Sequence, residues 1–223
     1  MTDLRRVPSW RTAALAAVAV VVYAALWVGF AQHWHWLASF DDAVLTLFHD
    51  YGVKHPLWLR FWDVFCTVFG PDGFRLVGIG FIVFALLRRN VRVALFLVLT
   101  IEVSGLVTLG AKDLADRPRP ATALATAAST SFPSGHALAV MAAVLALLTI
   151  WAGRARVLWT ALGALVVIAV GVGRVVLNVH YPSDVVAGWA LGYVWYLCCL
   201  LVIRPLPLTA AGGEIPQALD TER

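Results

Sequence analysis

Long apolar runs alternate with short polar islands along the chain, and the runs outlast what a soluble core needs. Residues 12–31 carry no charge. Residues 93–111 are apolar except for Glu102, and residues 135–152, 157–173 and 185–203 follow as further apolar runs. A helix needs about 20 mostly apolar residues to cross a bilayer. These five runs therefore read as spanning helices. Residues 57–87 are less uniform. They hold Arg60, Asp63, Asp72 and Arg75 and break at Gly70-Pro71-Asp72-Gly73. They read either as two short spans or as one span preceded by an interfacial piece.

The basic residues decide between these. Arg5, Arg6 and Arg11 precede the first run, Arg88, Arg89 and Arg92 lie in the tight turn after residues 57–87, Arg154 and Arg156 lie in a later turn, and Arg204 follows the last run. Arginines concentrate in cytoplasmic loops. All nine fall on one side if residues 57–87 cross once. The expectation is six spans with both termini cytoplasmic, an interfacial or partly inserted helix over 57–70, and the main crossing over 74–87. A rival reading takes the basic start and Gly29-Phe30-Ala31 as a cleaved signal peptide, although the apolar core is long for that. Arg5-Arg6 as a twin-arginine signal is weaker still. Residues 1–203 read as a single transmembrane domain, and 204–223 as a cytoplasmic, disordered tail. No internal repeat is evident.

Composition sharpens this picture. Of 223 residues, 61% are hydrophobic and only 13% are charged, against roughly 25% charged in a soluble domain. Mean hydropathy is +0.82. A soluble globule, a disordered protein and a nucleic-acid-binding module are excluded as defaults. The net charge of +4 belongs to the arginine clusters rather than to a nucleic-acid face. Cys66, Cys198 and Cys199 lie in or beside apolar runs without metal-ligand spacing, and read as small buried hydrophobes. The fold class is all-α: a polytopic membrane bundle of six transmembrane helices.

The remaining polar residues gather on the face opposite the arginine clusters. Residues 112–134 hold Lys112, Asp113, Asp116, Arg117 and Arg119, with His136 one turn into the next helix. Residues 174–184 hold Arg174, His180 and Asp184. Ionisable groups at membrane depth are costly and usually functional. Cations and two histidines at one end of the bundle suit an anionic substrate. Lys112 and Arg119 are seven apart, close to two helical turns. Ser134 is a good N-cap candidate, and the helix start after it offers free N–H groups suited to phosphate. Asp184 follows His180 by four residues, where its carboxylate can hold one imidazole N–H and leave the other nitrogen free to attack.

These residues resemble the type-2 phosphatidate phosphatase family of membrane lipid phosphatases. That family's signature reads K-x6-R-P, P-S-G-H and S-R-x5-H-x3-D. Here it stands as Lys112 to Arg119-Pro120, Pro133-Ser134-Gly135-His136, and Gly173-Arg174 to His180 to Asp184. Gly173 replaces the serine before Arg174, which puts one hydroxyl contact to phosphate in doubt. The resemblance implies hydrolysis of a lipid phosphomonoester or diphosphate, without metal or other cofactor, at the extracytoplasmic end of the bundle. It implies His180 as nucleophile forming a phosphohistidine, Asp184 as its partner, and His136 as acid and then base. It implies Lys112, Arg119, Ser134, Gly135 and Arg174 as the phosphate cradle.

Other polar residues have plainer readings. His33 and His35, within Gln32 to Trp36, belong to an interfacial aromatic belt, and as a metal pair they lack further ligands. Arg117 either binds phosphate or pairs with Asp113 or Asp116 to shape the loop, the second being favoured. Glu102 lies about 15 Å along the helix from Lys112, too deep for the phosphate, and is expected to pair with Arg75 or another buried group. Residues 37–75 and 121–130 are expected to form the variable groove. Phosphatidate, phosphatidylglycerol phosphate, undecaprenyl diphosphate and a prenyl-linked sugar phosphate all fit it. A polyprenyl diphosphate or a glycerophospholipid phosphate is favoured, without a choice between them. The oligomeric state is open. Two other functions compete: a non-catalytic lipid-phosphate binder or transporter, and a vanadate-dependent haloperoxidase, disfavoured by the apolar spans.

Overall fold

The computed structural model describes residues 10–127, 129–151 and 155–205. Arg5, Arg6, Arg154 and the tail from residue 206 onward lie outside the described residues. In chain order the helices are α1 (Trp10–Ala31), α2 (His35–Gly52), α3 (Pro56–Val68), α4 (Pro71–Leu87), α5 (Val91–Leu97), a π-helical turn (Val98–Glu102), α6 (Ser104–Ala115), α7 (Gly135–Ile150), α8 (Arg156–Val176) and α9 (Pro182–Ile203). No strand occurs among the described residues.

Local chemistry sets several of these ends. Proline stands in the first turn of α3, α4 and α9, where its missing N–H costs nothing. The Asn90 side chain accepts the Val93 N–H at 3.2 Å and starts α5. The Ser134 side chain accepts the Ala137 N–H at 3.5 Å and starts α7, as its position before the apolar run predicts. α6 stops at Asp116, whose φ of 44° is left-handed and is tolerated by aspartate.

Trp10–Ala31, Pro56–Leu87, Val91–Ala115, Arg156–Val176 and Pro182–Ile203 are each long and apolar enough to cross a membrane, and Gly135–Ile150 is a shorter apolar helix. These correspond to the six expected spans, with residues 57–87 counted once. The protein is a multi-pass membrane bundle. α7 is its axis, and its small residues Ala137, Ala142, Ala143 and Ala146 are fully buried. α9 packs against it through glycines. A Cβ at Gly188 would stand 2.6 Å from the Ser134 carbonyl oxygen, and one at Gly192 2.5 Å from that of Leu138. Small residues let backbones approach where no hydrophobic effect drives helices together.

Two features depart from the sequence reading. Residues 35–52, which no apolar run marked as a helix, form the full helix α2. Its Asp41 reaches α9. Cys198 is exposed, whereas Cys66 and Cys199 are buried: α9 turns successive residues to different faces, so only one of the adjacent cysteines points inward.

The helix order places two ends in contrast. The turn at 88–90 and the starts of α1 and α8 and the end of α9 carry Arg88, Arg89, Arg11, Arg156 and Arg204. The junctions α6–α7 and α8–α9 lie at the other end. There α3 packs its Leu59, Trp62 and Cys66 against Leu177 and Val179, and the Leu124 N–H donates to the Leu177 carbonyl at 2.9 Å. These contacts bring the two polar islands together.

Candidate active site

A cavity of about 540 Å³ opens at this end, and Lys112, Arg119, Gly135, His136, Arg174 and His180 all line it. Their positions run from 112 to 180, so the tertiary fold alone brings them together. Lys112 sits in the last turn of α6 and donates to the Thr130 carbonyl, and to that of Ser131 at 3.4 Å. Arg119 leaves the loop and donates from Nε to the Ser129 carbonyl at 2.6 Å and from Nη1 to the Val179 carbonyl at 2.5 Å. Arg174 closes α8, and its Nε is buried without a hydrogen-bond partner. An unpaired buried guanidinium N–H is expensive, and an oxyanion in the cavity would satisfy it.

His180 follows α8, inside the loop that leads to α9. Arg119 Nη1 lies 3.3 Å from its Nε2. Because guanidinium only donates, this contact makes Nε2 the unprotonated nitrogen. Nδ1 then carries the hydrogen and faces Asp184 Oδ2 at 3.5 Å, a long approach for a hydrogen bond. Burial pushes the His180 pKa down to about 3, with Asp184 opposing and Arg174 and Arg119 adding to the fall. Burial thus favours the neutral ring, the form a nucleophile requires. Burial and the Arg174 charge likewise lower the pKa of Arg119.

His136 stands on the first turn of α7, and its imidazole lies beside Gly70 at the α3–α4 junction. A Cβ at Gly70 would come 3.2 Å from His136 Nε2. The Ser134 hydroxyl, expected to face phosphate, is fully buried, caps α7, and does not line the cavity. Gly173 has its own explanation: a Cβ there would stand 2.5 Å from Cys66 Sγ and 2.8 Å from Trp62 Cε3. α3 occupies the space that a serine side chain would need.

Arg117 corrects the sequence reading. It pairs with neither Asp113 nor Asp116. Nη1 donates to Asp184 Oδ1 at 2.6 Å and to Ser183 Oγ at 2.8 Å, and Nη2 donates to Asp41 Oδ2 at 2.9 Å. Its guanidinium is sandwiched between the Tyr181 ring at 3.9 Å and the Phe30 ring at 4.9 Å. Asp184 is held further by Ser131 Oγ, and by the Tyr181 N–H at 3.0 Å. Asp41 accepts the Ser183 N–H at 3.0 Å. Local spacing misled here because both true partners lie far away in sequence: Asp41 is 76 residues off and Asp184 is 67. Asp41, Ser131 and Ser183 carry no motif that would have flagged them.

The expected groove is met in part. Pro71, Asp72 and Arg75 of α4 and Thr126, Ala127 and Ser129 of the loop line the cavity, but so do Glu102 and, from α6, Gly105, Leu106, Thr108 and Leu109, which were not expected.

Comparison with known proteins adds three findings. The sequence model of the PAP2 superfamily matches residues 93–206, just over half the chain. A decaprenylphosphoryl-5-phosphoribose phosphatase of Mycobacterium tuberculosis is 42% identical over 77 residues, 34% of this chain and 40% of that protein. An undecaprenyl-diphosphatase of Sulfolobus acidocaldarius is 42% identical over 62 residues, 28% of each chain. The chain thus spans well under half the length of the curated relatives it matches. Among solved structures, a transmembrane PAP2-type phosphatidylglycerolphosphate phosphatase from Bacillus subtilis superposes with a TM-score of 0.68 at 18% identity, over 86% of this chain and 96% of that one. This shows a shared fold.

Proposed function

The chain belongs to the PAP2 superfamily, and from that membership and the geometry of its cavity we propose that it is an integral-membrane lipid phosphatase working through a phosphohistidine. The observation that carries this reading is the buried His180, whose Nε2 lies 3.3 Å from the Arg119 guanidinium at the wall of a cavity also lined by His136, Lys112 and Arg174.

A phosphoryl group entering the cavity displaces the Arg119 contact from Nε2. The equatorial oxygens take N–H groups from Lys112, Arg119, Arg174 and the start of α7 at Gly135. Such placement and charge supply most of the catalysis in phosphoryl transfer. His180 Nε2 forms the new P–N bond as the bond to the leaving oxygen breaks, and His136 gives that oxygen its proton. Asp184 holds the proton on Nδ1 and stabilises the charge that develops on His180. In the second half a water attacks phosphorus, His136 takes its proton, and the P–N bond breaks to release phosphate. Ser134 contributes by fixing the α7 start rather than by touching phosphate. The cations that hold the oxyanion are side chains, so the reaction runs without metal. The arginine clusters at the opposite end support an extracytoplasmic cavity. Residues 10–203 act as one transmembrane unit.

The test is phosphate release by the purified protein in detergent across a panel of lipid phosphates and diphosphates. His180→Ala should abolish turnover, and EDTA should leave it unchanged. Rapid quenching with labelled substrate should trap an acid-labile, base-stable phosphoprotein in the unsubstituted protein and none in His180→Ala. Lipid movement that survives in His180→Ala, with no phosphate released by either form, would establish a transporter instead.

A further inference from the structure

Asp41 stands where the inner face of α2 calls for an apolar residue. Leu37, Asp41 and Leu45 recur every four residues on that face, and Asp41, at its centre, is fully buried. It also lies outside residues 93–206, which the superfamily model matches. Its partners all donate: Oδ1 accepts the Ser183 N–H at 3.0 Å, and Oδ2 accepts the Ser183 hydroxyl and Arg117 Nη2, the latter at 2.9 Å. A set of donors alone fits an ionised carboxylate. Asp184 is ionised by the same criterion, since its oxygens accept Arg117 Nη1, Ser131 Oγ and the Tyr181 N–H. The buried group behind His180 thus joins two carboxylates to one guanidinium, a surplus of one negative charge.

Arg117 alone would balance Asp184. Stability gives no reason for the second carboxylate, because replacing a buried ion cluster by apolar side chains is often neutral or stabilising. The chemistry of His180 does give one. The Nε2 lone pair forms the P–N bond, the P–O bond pair departs with the alcohol oxygen, which His136 protonates, and the hydrogen on Nδ1 stays. The ring passes from neutral to singly positive, and becomes neutral again when water takes the phosphoryl group. Arg174 and Arg119 oppose that positive charge from the cavity side. Asp184 faces Nδ1 at 3.5 Å, and Nδ1 has no hydrogen-bond partner, so Asp184 acts on the ring as a charge more than as an acceptor. Arg117 offsets that charge, and Asp41 offsets Arg117. We propose that Asp41 is a positioning residue for the phosphoenzyme: acting through Arg117, it preserves one uncompensated negative charge behind His180, matched to the positive charge that the ring carries only while phosphorylated. This rests on the phosphohistidine reading above and adds what sets the balance between its two halves.

The experiment measures phosphoenzyme formation by rapid quenching, and its breakdown by a chase with unlabelled substrate, using a labelled lipid phosphate in detergent. Asp41→Asn should lower the ratio of formation rate to breakdown rate by about tenfold or more, the order expected of one unit charge acting inside a protein. Damage to the site without a charge effect slows both steps and spares the ratio. Asp42→Asn removes a charge from the exposed neighbour and should leave both rates unchanged. Asp41→Asn combined with Arg117→Gln returns the buried surplus to one negative charge. That double variant should bring the ratio back to within about threefold of the unsubstituted protein, and it serves as the test if the single variant does not fold. An unchanged ratio in Asp41→Asn, or a double variant that stays tenfold low, overturns this proposal and leaves the phosphatase intact. Absence of any phosphoprotein from the unsubstituted protein while it releases phosphate removes the phosphohistidine and this proposal with it.

Discussion

The carboxylate behind His180 is itself held by a buried guanidinium. Asp41 and Asp184 are fully buried and Arg117 is nearly so, so removing Arg117 leaves two charges without a counter-ion. Breaking a buried pair in this way costs about 3–5 kcal/mol. Arg117→Ala should therefore lower the thermal unfolding midpoint in detergent and cut kcat. Asp41→Asn combined with Arg117→Ala should fall short of the sum of the two single losses, because the pair acts as a unit. Additive losses would show that Asp41 does not work through Arg117. The pH dependence follows from His180. Its folded pKa, near 3, lies below the unfolded value of about 6.5. Below about pH 6.5 the unfolded chain takes up a proton that the folded ring refuses. Stability contributed at neutral pH is thus lost progressively as pH falls from about 6.5 toward 3. Unfolding midpoints measured at pH 7 and pH 4.5 should fall more for the unsubstituted protein than for His180→Asn. The acid limb of kcat/KM should not titrate as an ordinary imidazole at position 180.

At the scale of elements, the site depends on how closely α9 lies on α7. Gly188 stands one turn beyond Asp184, and a side chain there would collide with the Ser134 carbonyl and with Ala137 Cβ at 2.9 Å. Gly188→Val should push the start of α9 from the start of α7 and separate the Asp184–His180 pair from His136. The expected result is a lower unfolding midpoint together with a loss of activity of tenfold or more. Gly110, in the middle of α6, has nothing within 4 Å of its missing Cβ. Gly110→Ala should be neutral, or stabilising by up to about 1 kcal/mol from helix propensity. A comparable loss in both variants would mean that glycine flexibility, rather than close approach, is what α9 requires. The same holds at two further glycines: Gly70, at the α3–α4 junction, has the Cys66 carbonyl and His136 beside it, and Gly173, in α8, has Cys66 Sγ and Trp62.

For the whole molecule, the arrangement of charge predicts orientation. The arginine turns and the cavity lie at opposite ends of the bundle, and arginine marks the cytoplasmic side. A cysteine introduced at Thr122 should react with a membrane-impermeant maleimide in intact cells. One introduced at Arg89 should react only after the membrane is opened. The reverse pattern would place the cavity in the cytoplasm and leave the proposed chemistry unchanged.

The spans, their number and the candidate cations Lys112, Arg119 and Arg174, which the fold gathers along one cavity, were legible in the sequence. Apolar length and arginine placement are properties of contiguous residues, and the three motifs keep their spacing within single turns and loops. The same logic located Ser134 at a helix start, since capping is a matter of three residues. Three things were decided only in the folded molecule. Arg117 was free, by local spacing, to pair with Asp113 or Asp116, and the fold gave it Asp41 and Asp184 instead. Glu102 belongs to the cavity wall because a π-helical turn and the glycines of α4 bring α4 and α6 to it. Position 173 is bare because α3 lies across it. Each depends on which helices touch. That is settled by the packing of side chains and the matching of buried charges across many tens of residues, for which no local pattern exists.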